Sequence, residues 1–187
     1  MRNSLITYNT PDWLTAFTTG KGVEPEQLGI EQDALVLPRQ THSDHVLWTE
    51  KAGRPEDTDA VITDSPGLCV CVKTADCIPI LLYDARQRIV AAVHAGWRGT
   101  ALGIAAKAVD AMVREFGCRP EDIRAAIGPN IGFCHFETDA DVPEAMLATL
   151  GNDAVPYLEQ RGPKWHVDLA GLNRQWLLHA GLSPDHM

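Results

Sequence analysis

An α+β fold, layered mixed β-sheets flanked by helices, is the architecture this sequence predicts. Three observations point there. Short β-rich runs crowd the first half of the chain. A helical apolar period replaces them after residue 100, so helices follow and separate strands rather than alternating with them. No G-x-G-x-x-G and no G-x-x-x-x-G-K-[ST] follows a strand-like run, which excludes a dinucleotide-binding doubly wound sheet and a P-loop.

The elements follow in order. The first forty residues are short pieces punctuated by Gly and Pro. Residues 34–37 (ALVL) read as a strand stopped by Pro38, and 46–48 (VLW) as a second, before a polar connector over 52–57. Residues 59–63 read as a strand, 65–67 (SPG) as a turn, and 68–72 (LCVCV) as the partner of 59–63; Cys69 and Cys71 would then share one face as small core residues. The runs 78–83 and 89–93 predict a hairpin through 84–88. Leu102, Ala105, Ala106, Val109, Met112, Val113 and Phe116 recur at helical spacing, with Thr100 as the N-cap and Gly117 as the stop. Residues 123–127 predict a strand closed by Gly128-Pro129. Residues 142–150 and 169–180 predict helices, the second capped by Asp168 and ended by Gly181.

Composition narrows the function classes. A length of 187 residues predicts one domain, 1–187, and 45% hydrophobic residues suffice for a core. A net charge of -9 argues against nucleic acid or an anionic membrane as partner. No apolar run approaches the ~18 residues of a membrane span, and Met1 to Thr7 lack the apolar stretch of a signal peptide. Five cysteines, an odd number with no C-x-x-C, read mostly as reduced structural thiols. The expected location is cytoplasmic.

Three segments carry chemistry: 40–45 (QTHSDH), 74–79 (TADCIP) and 94–99 (HAGWRG). Each sets a ligand-type side chain at the edge of a regular element, where a scaffold can aim it into a shared cleft. His42, Cys77 and His94 form a His2Cys set suited to zinc with an open fourth position. Their separations of 35 and 17 residues are no zinc-finger spacing, so hydrogen-bonded structural histidines stand beside that reading. A Cys77 nucleophile with His94 or His42 as base is the same set read without metal; a Ser hydrolase fits poorly, because no G-x-S-x-G occurs. Gly96 and Gly99 either shape a strand-to-helix turn over Trp97, or admit an anion that Arg98 contacts through its bidentate fork. Glu137, after the glycine-bounded loop 128–132, is either the opening acid of a helix or a pocket carboxylate. Adjacent Cys134 and His135 would point to opposite faces of a strand, against joint ligation there.

Taken in order, Gln40 to Ser43, Asp59 to Pro79, Ala91 to Gly99 and Gly128 to Thr138 resemble the pattern of the YfiH-like laccase-domain family, known as multicopper polyphenol oxidase or purine nucleoside phosphorylase proteins. The resemblance runs from about Phe17 to the chain end; T-A-D-C-x-P with H-A-G-W-R-G at this separation is its most specific part. It implies packed mixed sheets with flanking helices, and one zinc held by the residues matching His42, Cys77 and His94. It also implies phosphorolysis of purine nucleosides with phosphate, accompanied by adenosine deamination. In the mechanism expected from it, Arg98 neutralises phosphate and Asp76 supports the ligands from a neighbouring position. This chain departs from the family pattern in three places. Ser43 replaces the glycine of Q-x-H-G; the early R-x-G-G-V loop is represented only by Gly20 to Val23, without its arginine and with Lys21 as a substitute charge; and the usual C-terminal segment beyond residue 187 is lacking.

Two other functions compete. A copper-dependent, laccase-like polyphenol oxidase with four coppers needs on the order of ten histidines; this chain has seven and no His-x-His, which leaves copper only as an alternative metal at the zinc site. A non-catalytic nucleotide-binding protein would use the same glycine turns and Arg98 without turnover.

Overall fold

The computed structural model describes residues 5–187; the sequence reading of residues 1–4 lies outside the described residues. Its frame is a five-stranded mixed sheet in the order β4-β5-β8-β7-β9, formed by β4 (Val46–Trp48), β5 (Ala60–Thr63), β7 (Ile78–Asp84), β8 (Ile89–Ala95) and β9 (Ile123–Ile127). β4 runs parallel to β5 and the other pairs are antiparallel. The β7–β8 hairpin closes as its sequence predicts. Its first turn is tied by the Asp84 carboxylate, which accepts from the amides of Arg86 and Gln87.

The period of two along the central strands sorts their side chains onto two faces. Ala60, Ile62, Ile80, Leu82, Ala91 and Val93 lie in the main core with α2 (Ile104–Phe116), α3 (Asp141–Leu150) and α4 (Leu169–His179). The alternate residues Val61, Leu81 and Ala92 face the other way. They meet a parallel pair, β3 (Leu35–Val36) with β6 (Cys69–Val70), through Val36, Leu68, Val70 and Val72.

That second layer corrects two expectations. β6 does not pair with β5, because both edges of β5 are taken by β4 and β8; after its turn the chain joins β3 instead. It is Leu68, Val70 and Val72 that face the core, which leaves Cys69 and Cys71 half-buried on the opposite side of the run. Burial still pushes the Cys69 thiol up and the Cys71 thiol up to about 12, so both stay protonated and inert.

The long helix also begins later than its period suggested. Gly103 takes a left-handed φ of 73° and breaks the run, so Leu102 is exposed and Thr100 sits inside a separate short helix, α1 (Trp97–Ala101). There its hydroxyl accepts from buried Asn173 of α4 at 2.8 Å rather than capping α2. Gly117 (φ 66°) ends α2, Asp168 caps α4 by accepting from the Gly171 amide, and Gly181 follows α4 in a left-handed conformation, all as the sequence predicts. Two small sheets escaped the sequence reading. One is β1 (Leu5–Thr7) with β2 (Phe17–Thr19); the other orders β10 (Glu137–Thr138), β12 (Lys164–Val167) and β11 (Leu158–Arg161) as β10-β12-β11. Among the described residues no helix is long and apolar enough to cross a membrane.

Candidate metal centre

The site grows from one end of the central sheet. In the hairpin register Pro79 pairs with His94 and Ile78 with Ala95, so the next step out sets Cys77 opposite Gly96. On the other edge of β8, Ala60 pairs with Val93, and the His94 amide donates to the Asp59 carbonyl at 2.7 Å. Asp59, His94 and Cys77 thus extend the face formed by Val61, Ala92 and Leu81. The parallel pair β3 and β6 runs toward the same end. It delivers the segment carrying Gln40 and His42 beside the segment carrying Lys73, Asp76 and Cys77. Gln40 locks the two together, its amide donating to the Lys73 carbonyl and accepting from the Lys73 N–H, both at 2.8 Å.

His42, Cys77 and His94 therefore converge, with one donor atom from each lying within 4.8 Å of the other two. The two imidazoles meet edge to face, centroids 4.8 Å apart. Donors on a shared zinc sit about 3.3–3.8 Å from one another, given Zn–N near 2.0–2.1 Å and Zn–S near 2.3 Å. A contraction of at most about 1.5 Å closes the set, and the N, N, S chemistry fits zinc. His94 is buried, Cys77 half-buried and His42 exposed, so the cluster opens to solvent on the His42 side.

Asp59 organises this cluster. It is fully buried, and its two carboxylate oxygens accept from six donors: the amides of Thr41, His42 and Ser43, the hydroxyls of Ser43 and, at 3.5 Å, Thr41, and His94 Nδ1 at 2.7 Å. Burial alone would raise its pKa; the hydrogen bonds from His94, Ser43 and Thr41 outweigh that and hold it below the usual carboxylate range. Burial pushes His94 down against the opposing pull of Asp59, so the imidazole is neutral and offers a lone pair. Cys77 is pushed up, first by burial and then by the charges of Asp76 and Asp59. A thiol in such surroundings ionises only when a cation joins it.

The glycine of the third segment acts by close approach. A Cβ on Gly96 would lie 2.7 Å from His42 Cδ2 and 3.4 Å from Cys77 Sγ, so only glycine lets the ring pack there. Asp76 is exposed beside Cys77, its carbonyl accepting from the Ile131 amide at 2.9 Å. That bond brings the 128–132 loop alongside. Arg98 is exposed on α1, its guanidinium 4.3 Å from the Trp97 ring centroid, without a carboxylate partner among the described residues. Glu137 is neither a helix opener nor a pocket acid: it lies exposed in β10, 3.8 Å from His166. Cys134 and His135 sit in a turn with Cys134 Sγ 3.0 Å from His135 Nδ1, outside the three-residue cluster.

Sequence reasoning missed Asp59 and Gln40 as organisers. The available signal for Asp59 was an acid opening an otherwise apolar run, DAVI, which becomes a buried charge once that run is a central strand. Gln40 carried no such signal.

Comparison with known proteins agrees with this architecture. The family model described as "Multi-copper polyphenol oxidoreductase laccase" matches residues 22–187, and the chain belongs to that family. It is 38% identical over 162 residues to a "Purine nucleoside phosphorylase" of Bacteroides thetaiotaomicron, covering 80% of this chain and 60% of that protein. It is 40% identical over 168 residues to "Adenosine deaminase RL5" of an unknown prokaryotic organism, covering 83% of this chain and 63% of that one. The crystal structure of the Bacillus licheniformis hypothetical protein YfiH superposes with a TM-score of 0.83 at 33% identity, covering 87% of this chain and 65% of that chain. The chain spans about three-fifths of the length of the curated relatives it matches.

Proposed function

We propose that this chain binds one zinc ion through His42, Cys77 and His94 and catalyses phosphorolysis of purine nucleosides in the cytoplasm. Adenosine, inosine or guanosine with phosphate would give the free base and ribose-1-phosphate. The observation that carries the reading is the convergence of three donors of zinc type at a solvent-open sheet end, in a chain whose relatives bear purine nucleoside phosphorylase names. The metal would supply Lewis acidity toward a substrate oxygen through its open coordination position. The chain's own groups do the rest. Arg98 offers an exposed fork of N–H donors that matches two phosphate oxygens. Asp76, exposed at the rim beside Cys77, would support the ligands from its neighbouring position. In the reaction the bond from C1′ to the purine nitrogen breaks with its electron pair leaving on the base, a phosphate oxygen bonds to C1′, and the proton that phosphate gives up ends on the departing base.

Adenosine deamination at the same site is the second reading, favoured by the 40% identity to a protein named adenosine deaminase. Copper-dependent phenol oxidation has less behind it. Seven histidines do not furnish a four-copper set, and among the described residues one cluster of three ligand-type side chains forms.

The test joins metal analysis to product analysis. Protein purified without added metal should carry zinc near one per chain, and Cys77→Ala should lose it while keeping the fold. Hypoxanthine release from inosine should require phosphate and match ribose-1-phosphate mole for mole. Release at an unchanged rate without phosphate would instead identify a hydrolase. Inosine from adenosine with no base release would identify a deaminase, and nucleoside binding without turnover a binding protein.

A further inference from the structure

A buried carboxylate is expensive unless charge or hydrogen bonds compensate it. Asp59 is fully buried, and among the described residues no lysine or arginine pairs with it; its one ion-pair contact is with His94. All six of its hydrogen bonds lead to the candidate metal ligands or to the turn that carries one of them. Three belong to backbone amides of consecutive residues, Thr41, His42 and Ser43. The middle one has a φ of 62°, a left-handed conformation that is strained for a non-glycine residue unless its surroundings hold it.

We infer that Asp59 is the positioning residue of this metal centre, fixing His94 as the Nδ1–H tautomer and clamping the 41–43 turn so that both imidazoles present their donors with Cys77. An ionised carboxylate only accepts, so the ring nitrogen 2.7 Å from it must carry the proton, and Nε2 is left with its lone pair for a cation. The same two oxygens cannot serve both tasks as an amide. In Asp59→Asn, an NH2 turned toward the turn meets the Thr41 and Ser43 donors. Turned toward His94, it makes Nδ1 an acceptor and moves the proton to Nε2, where it blocks ligation. Charge points the same way: the Asp59 carboxylate and a Cys77 thiolate together bring two negative charges to a site for a divalent cation. This assignment rests on the zinc reading above for its purpose, though not for its geometry.

The experiment has two readouts, neither of them activity. Imidazole 15N chemical shifts in metal-free protein should show His94 as the Nδ1–H tautomer. Zinc affinity, measured by competition with a chromophoric chelator, should fall 10- to 100-fold in Asp59→Asn. Ser43→Ala, which removes one donor and leaves His94 untouched, should weaken zinc less and keep the tautomer. A merely structural role would lower thermal stability in both variants without moving the ring proton. An Nε2–H tautomer in the wild type overturns the inference, and that measurement stands even if Asp59→Asn fails to fold. Zinc affinity within twofold of wild type in a folded Asp59→Asn overturns the assignment alone. No zinc uptake by the wild type overturns the metal reading and the assignment with it.

Discussion

His94 and His42 present the same imidazole to the same point by opposite means. His94 sits inside β8, its backbone bonded to the start of β5 and its strand paired with β7 along seven residue pairs. His42 sits in a turn with no strand of its own, exposed, in a left-handed conformation. Cys77 falls between them, one residue before β7. The hairpin places its donors through a hydrogen-bond ladder and a buried apolar face. The turn places its donor through one carboxylate, a reciprocal glutamine clamp and the space left by one glycine. A ladder tolerates local change because many bonds share the load; a turn held by a few side chains does not. Positional precision here therefore should not track stability, and variants on the two sides should separate the two properties.

The largest stability effect belongs to the hairpin. Ile80 is fully buried on the helix-packed face of β7, away from the site. Ile80→Ala should cost about 2–5 kcal/mol, the lost transfer energy plus the cavity left behind, read from chemical denaturation at unchanged m-value. Zinc binding per folded molecule at low temperature should stay within a few-fold of wild type, since the ladder persists. A loss under about 1 kcal/mol would mean this face carries less of the fold than its burial implies.

Gly96→Ala should do the reverse. Gly96 has φ −68° and ψ 173°, a conformation alanine adopts without strain, so the substitution tests space alone. The added methyl meets the His42 ring at 2.7 Å, and that ring, on an exposed turn, yields more readily than a packed core. Stability should fall toward the lower end of the about 1–3 kcal/mol typical of overpacking, while zinc affinity drops more than tenfold. In a His42→Ala background most of the stability cost of Gly96→Ala should vanish, a coupling that a double-mutant cycle reads directly. Wild-type zinc affinity in Gly96→Ala would show that His42 does not need the position it holds.

The same contrast explains what was legible in the sequence. The hairpin, β5, α4 with its Asp168 cap and the end of α2 at Gly117 were readable because apolar period, cap and glycine stop agree locally. The pairing of β6 with β3 was not, because which edge a two-residue strand joins depends on which edges remain, a property of the whole sheet. The start of α2 was misread because Leu102 fits the period while Gly103 breaks the backbone. In the site, His42, Cys77 and His94 stood out by chemistry, and the structure brings them together. Asp59 did not stand out, since nothing local distinguishes an acid that caps a strand in solvent from one buried with six donors around it.

The smallest effect concerns a second clasp on the turn. His45 Nδ1 lies 3.0 Å from both the carbonyl and a carboxylate oxygen of Asp57, and the Thr41 hydroxyl donates to the same carboxylate. The Asp57 carbonyl, then the Asp57 charge, hold the His45 pKa above its usual value of about 6.5. A raised folded pKa means the folded chain binds the proton more tightly than the unfolded one. The stabilisation is therefore full below about pH 6.5 and is lost as pH rises through the folded value. Both partners are exposed, so solvent and salt keep the effect small. His45→Gln keeps a donor and removes the titration. In metal-free protein the melting temperature of wild type relative to His45→Gln should be higher at pH 6 than at pH 8, and added salt should shrink the difference. A difference that grows with pH would contradict the clasp. Its absence from an Ile80→Val control, whose deficit should be flat over the same range, would tie the pH dependence to the turn rather than to the ladder.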